Sequence, residues 1–298
     1  MNKHYVYIII AASLWGTIGI IVKNFYAAGF SPIQLVTFRT LIGASCIFVY
    51  LALRDREKLK ISFRDWWLFI GTGIISFVFF NICYFISVER NGLSVASVLL
   101  YTAPAFVFLL SVIIFKESVT KIKIFALVLA LTGCTFVSGA LEGSGGSMDL
   151  YGIFAGILAG FGYGLYSIFA KLALKKYDTV TVTFYTFLFG AIGALPFARM
   201  GEVPGMITSG AVAMNIVLLA VIITILPFTL YTKGLSGVEP SKASILATIE
   251  PIVATIFGVV LFQEEMTLLK ISGILLVIGA AIMINLTSQT SRGEIHEP

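Results

Sequence analysis

The 25 residues from Ser241 to Glu265, SKASILATIEPIVATIFGVVLFQEE, repeat in outline a stretch found 147 residues earlier, Ser94 to Ser118, SVASVLLYTAPAFVFLLSVIIFKES. At that single shift, without a gap, Pro104 pairs with Pro251, Tyr84 with Tyr231, Ser94 with Ser241 and Ser97 with Ser244. The register continues through Phe115/Phe262, Glu117/Glu264, Thr120/Thr267 and Lys123/Lys270. Two apolar helices share leucines and alanines by chance, but not prolines, glutamates and flanking lysines in one register. The chain is an internal duplication, and its fold must be built from two copies of one unit.

Of the 298 residues, 58% are hydrophobic and 12% are charged, against about 25% charged in an average soluble chain. Apolar segments close to the roughly 20 residues of a membrane-crossing helix recur along the whole chain. The net charge of +5 does not indicate nucleic acid as a partner, because the basic residues cluster between the apolar segments. Lipid bilayer is the expected surrounding. Cys46, Cys83 and Cys134 each stand alone in an apolar segment, without the spacing of a disulfide framework or metal site. His4 and His296 lie in the tails, so no metal site and no cofactor is expected. The first apolar segment, after Lys3, has the look of a signal peptide, but its internal counterpart in the second half argues that it stays.

The segments number ten: about Tyr5–Val22, Pro32–Leu53, Trp66–Val88, Leu93–Phe115, Ile122–Ala140, Leu150–Ala170, Thr179–Phe197, Ala211–Tyr231, Ala243–Phe262 and Ile271–Leu286. The expected class is an all-α integral membrane protein of ten transmembrane helices, arranged as two inverted five-helix repeats. Residues 1–140 form the first repeat, 141–149 a flexible linker, 150–288 the second repeat and 289–298 a cytoplasmic tail. One set of alternate loops carries most of the lysine and arginine, from Arg54, Arg56, Lys58, Lys60 and Arg64 to Lys175 and Lys176. The other set carries little beyond Lys23, Arg90, Arg199 and Lys270. This bias predicts that both termini are cytoplasmic. Because five is odd, equivalent helices cross in opposite directions, and inverted repeats of this kind are the architecture of secondary transporters. The two units complement each other within one chain, which is compatible with a monomer or a homodimer.

Glu250 is the deepest acid. A carboxylate inside a bilayer must be protonated, paired or turned to water. It suits a substrate-ammonium partner or a proton carrier, and equally a hydrogen bond or ion pair between helices. Pro251 beside it leaves the carbonyl of Ala247 without its helical donor, and Pro104 does the same to Leu100. Helices interrupted at matching places in two halves point to a midplane site. Arg39, the other deep charge, is expected in a structural role, with Glu250 a candidate partner. Trp15, Asn81, Tyr84, Tyr101, Tyr163, Tyr166 and Tyr231 are polar-tipped or amide side chains deep in the spans, suited to a pocket or to packing alone. Gly152, Gly156, Gly160 and Gly164 recur every fourth residue on one helix face, a spacing that permits close helix contact. No catalytic motif such as HExxH or GxSxG is present.

These features converge on a resemblance. SLWG at Ser13–Gly16, Phe38–Arg39, NICYFISVERNGLSVASVLLYTAPAF at Asn81–Phe106, EPIVATIFGVVLFQEE at Glu250–Glu265 and GILLVIGA in the last span resemble the ten-helix EamA-type branch of the drug/metabolite transporter superfamily. The resemblance covers nearly the whole chain. It implies a cavity between the repeats built by spans one, three, four, six, eight and nine, with Trp15, Asn81, Tyr84, Tyr101, Tyr163 and Glu250 at or near its wall. Trp15 corresponds to Gly162 in the second half, so the implied cavity is asymmetric. The function expected is gradient-driven transport of a small metabolite at the plasma membrane, with an exporter of amino acids or related compounds preferred and the proton as candidate coupling ion. The alternatives are a nucleotide-sugar, vitamin or lipid-precursor carrier, and outside transport a membrane-embedded enzyme or a scaffold.

Overall fold

The computed structural model describes residues 3–142, 148–207 and 209–293. Most of the linker expected at 141–149, at 143–147, and half of the expected tail, at 294–298, lie outside the described residues. The ten expected spans are helices: α1 Lys3–Ala27, α2 Pro32–Arg54, α3 (66–91), α4 (93–115), α5 Lys121–Val137, α6 Leu150–Ala173, α7 Thr179–Phe197, α8 (210–236), α9 Pro240–Phe262 and α10 Leu268–Leu286. Eight continuous helical stretches have the length and hydropathy to cross a bilayer. The count becomes ten for two physical reasons. The single run Phe63–Phe115 is cut by Gly92, whose φ of 80° and ψ of 167° only glycine adopts without strain. The 17-residue α5 spans about 26 Å at 1.5 Å per residue, near the hydrocarbon thickness.

Local sequence sets the helix starts. Ser31 accepts from the Gln34 amide while the Gln34 side chain accepts from the Ser31 amide, with Pro32 at the first turn. Asp149, Asp178 and Thr120 cap α6, α7 and α5 by accepting from the backbone amides of Tyr151, Thr181 and Lys123. At the other end, α4 and α9 close identically. Lys116 and Gln263, 147 residues apart, take left-handed conformations with φ of 54° and 56°. The next amides, of Glu117 and Glu264, donate back to Ser111 and Gly258 at 3.3 Å. Left-handed backbone is uncommon in residues other than glycine, so the shared strain marks both turns as copies of one design.

Packing obeys the same duplication. Helices α3 and α4 pack on α6, as their counterparts α8 and α9 pack on α1; α7 packs on α3 as α2 packs on α8. Helices α2 and α7, α4 and α9, and α5 and α10 each pack on their own copies. Exchanging the halves maps this set of contacts onto itself. The glycine face of α6 makes the closest approach. A Cβ on Gly156 would fall 2.4 Å from Leu99, and one on Gly160 would fall 2.6 Å from the Leu99 carbonyl oxygen. Large apolar side chains such as Phe48, Leu53, Ile113, Leu268 and Leu275 point outward, a surface that suits lipid and not water.

Candidate functional site

Where α4 and α9 cross the middle of the bundle, both are broken. Helix α4 unwinds at Tyr101–Thr102, just before Pro104, and α9 turns at Thr248, before Pro251. At each break a threonine folds back on its own helix: Thr102 Oγ1 donates to Leu99 O and Thr248 Oγ1 to Ile245 O, both at 2.6 Å. The second half of α9, Ile249–Phe262, begins with Glu250 in its first turn. The positive end of that half-helix favours a carboxylate there. Tyr163 on α6 donates its hydroxyl to Glu250 Oε2 at 3.0 Å.

Two adjoining chambers open beside these breaks, sharing Pro104, Tyr163, Ser244 and Ala247. The larger lies among α1, α3, α4, α6, α8 and α9, and Trp15, Phe77, Tyr166, Phe228 and Tyr231 form much of its wall. The smaller reaches Tyr101, Thr248 and Glu250. The larger holds about 30 Å³ open to the centre of a water-sized sphere, room for about two waters.

The walls are rigid aromatics with tethered hydroxyls. Trp15 meets Phe228 at 5.0 Å and Tyr231 at 5.4 Å between ring centroids, and Tyr166 meets Phe228 edge-on at 5.2 Å. Tyr231 pairs with Ser167 at 2.7 Å, and Tyr166 with Thr232 at 2.5 Å. These bonds satisfy the deep phenols and fix the ring planes.

Of the residues singled out by sequence, Trp15 lines the larger chamber, Tyr101 and Glu250 the smaller, and Tyr163 and Pro104 both. Pro251 sits beneath Glu250 and is buried. Asn81 and Tyr84 stand beside the chambers rather than in their walls. The Asn81 amide donates to its own helix at Phe77 O, 2.7 Å away, and Tyr84 pairs with Ser97 at 3.2 Å. Arg39 lies behind the wall. Its guanidinium is stacked over the Phe77 ring at 4.6 Å, and its Nε has no hydrogen-bond partner. Among the described residues the ion pairs do not join Arg39 to Glu250.

Several wall residues escaped the sequence reading, among them Ser76, Phe77, Phe80, Ser167, Phe228 and Ser244. Some of them share a structural feature. Helices α3 and α8 widen into π-helix over Gly71–Val78 and Val221–Ile225, overlapping stretches in the duplicated register. π-Segments cluster at functional sites, and Ser76, Phe77, Phe80 and Phe228 sit in or just beyond them. No sequence periodicity announces such widening.

A model described as the EamA-like transporter family matches residues 2–139 and again 150–286. An uncharacterized transporter of Archaeoglobus fulgidus is 28% identical over 93% of this chain and 94% of its own length. One of Clostridium kluyveri is 26% identical over 99% and 96%. The uncharacterized inner membrane transporter YicL of Salmonella typhimurium is 24% identical over 97% of each. A solved crystal structure matches with a TM-score of 0.81 at 18% identity, over 97% of this chain and 99% of that one, which is a likeness of fold.

Proposed function

The chain belongs to the EamA-like transporter family, and from that premise we propose that it exports a small amphipathic metabolite carrying an amine, an amino acid or close derivative, by alternating access of its two halves. The observation that carries this reading is the Tyr163–Glu250 pair beside an aromatic chamber at the breaks of α4 and α9. A carboxylate in a low-dielectric pocket binds an ammonium strongly because few waters compete. Aromatic faces add cation–π attraction and hold the apolar part of the solute. Among the described residues no lysine or arginine lines either chamber, which disfavours phosphate-bearing solutes such as nucleotide sugars.

The chamber is too small for such a solute as it stands, so entry requires the halves to separate at one end. Transport is driven by a gradient, with Glu250 releasing a proton on one side when the ammonium arrives and regaining it on the other. The basic loops face the cytoplasm, with both termini, in the plasma membrane. The chain acts as a carrier, not an enzyme. The functional units are residues 1–140 and 150–288, complete within one subunit.

Flux in liposomes containing only this protein tests the reading. A panel of amino acids, amines, nucleosides and vitamins is offered with and without a pH gradient, and the lumen is analysed by mass spectrometry. Saturable, gradient-dependent movement of amine-bearing solutes is expected. Movement confined to anionic solutes, or no movement by folded protein, overturns it.

A further inference from the structure

The duplicated register places the same cassette, Glu, then Thr three residues on, then Lys three more, at opposite ends of the molecule: Glu117–Thr120–Lys123 between α4 and α5, and Glu264–Thr267–Lys270 between α9 and α10. The backbone entering each is the same, with left-handed Lys116 and Gln263 and matching amide bonds to Ser111 and Gly258. The side chains are not. Lys123 Nζ lies 3.2 Å from Glu117 and 2.9 Å from Glu239, and the side chains of Lys123 and Glu117 are only 3% and 5% exposed. Ser241 donates its hydroxyl to Glu117, and Lys242 pairs with Glu239 at 3.0 Å. Glu117 and Lys123 belong to the first half; Glu239, Ser241 and Lys242 begin α9 in the second. The cluster therefore joins the halves at the end where α4 stops and α9 starts.

At the other end the copy is less buried and differently partnered: Lys270 donates to the Glu265 carbonyl oxygen at 3.1 Å, and Thr267 donates its hydroxyl to Glu142. Lys270 Nζ is 3.5 Å from Glu264, whose side chain is 54% exposed. The counterpart of Ser241, which is 1% exposed, is Ser94, which is exposed. With the same local backbone, Glu117 is buried and Glu264 exposed, a difference that comes from what the other half places against each and not from the cassettes.

We propose that the two cassettes are alternate locks, the Glu117–Lys123 lock closing one end and the Glu264–Lys270 lock closing the other. In the opposite conformation Glu264 accepts a hydrogen bond from Ser94, as Glu117 now does from Ser241. The proposal rests on the alternating-access reading above. The locks are unequal, because the positions of Glu239 and Lys242 are occupied in the first half by Gly92 and Val95. The second lock lacks the extra acid and the extra lysine, which biases the empty carrier towards the conformation seen here. The first lock is also imperfect. Glu117 Oε1 is buried without a hydrogen-bond partner, a cost that keeps the closed end from being irreversibly stable.

Cysteine accessibility in the full chain tests this, with Cys46, Cys83 and Cys134 replaced and a membrane-impermeant maleimide as probe. In the parent background Ser94→Cys is labelled readily and Ser241→Cys is protected. Lys123→Ala is expected to shift the population, slowing labelling of Ser94→Cys by roughly three- to tenfold and exposing Ser241→Cys. Lys123→Arg restores the parent pattern. Should Lys123→Ala fail to fold, Ser241→Ala tests the same lock by its smaller effect in the same direction. A cysteine pair at Ser94 and Glu264 is expected to cross-link in the Lys123→Ala background and not in the parent. Unchanged labelling and no cross-link in folded protein overturn the proposal. The readout needs no substrate: labelling that responds while no solute moves leaves the locks standing and removes the transport reading, and flux without any labelling response does the reverse.

Discussion

The hydroxyl of Tyr163 donates to Glu250 Oε2 over 3.0 Å, tying the middle of α6 to the first turn after the break in α9. Among the described residues the carboxylate is thus held at a helix N-terminus by one neutral donor and no cation, the arrangement that the proposed exchange of a proton for an ammonium requires.

Glu250→Gln keeps the size of the side chain and removes its charge. Uptake driven by a pH gradient is expected to fall by roughly tenfold or more, about 1.4 kcal/mol per decade, and the exchange that remains to lose its dependence on the gradient. Tyr163→Phe is expected to weaken solute affinity with gradient dependence retained. Paired gradient-driven and exchange assays distinguish the two.

Arg39 and Glu250 are not ion-paired, since the guanidinium stacks on Phe77 with Nε unpartnered. The charge exchange Arg39→Glu with Glu250→Arg is therefore expected to show no rescue of folded yield over the single variants. Recovery measured by fluorescence-detected gel filtration would indicate a pair in another conformation. Arg39→Met, which keeps packing on Phe77 and removes the buried charge, is expected to retain stability within about 1–2 kcal/mol.

Gly16 lies where α1 crosses α9. A Cβ at this position would fall 2.6 Å from the Glu250 carbonyl oxygen and 2.7 Å from Val253 Cβ. Backbone cannot yield as a flexible side chain does, so Gly16→Ala is expected to destabilise by about 1–3 kcal/mol and to depress flux through displacement of Glu250. Thermal unfolding in detergent, alongside flux, checks both.

Asp149 caps α6 and pairs with Arg90 at 2.7 Å. The Arg90 hydrogen bond, followed by the bond from the Tyr151 amide, holds its carboxyl below the usual aspartate range. A depressed folded value means that the group stabilises the fold above the ordinary aspartate pKa of about 3.9 and that this contribution is lost as pH falls through the folded value. Melting temperature is therefore expected to drop in that acidic window. Asp149→Asn should flatten this part of the profile by removing the contribution at pH 7, and change little below the folded value.

The sequence by itself determined the ten helices, the duplication, the breaks before Pro104 and Pro251 and the membrane setting, because hydropathy, proline geometry and register are local properties. It also marked Trp15, Tyr101, Tyr163 and Glu250 as notable, since polar tips deep in apolar segments stand out one residue at a time. Only the tertiary structure decided that Tyr163 meets Glu250, that Arg39 is screened behind Phe77, and that Asn81 turns back to its own helix. It alone decided that Glu117 is buried against the second half while its copy Glu264 is exposed. Helix rotation, π-widening and the relative position of two halves arise from packing summed over many contacts, which the register of the duplicated cassettes does not record.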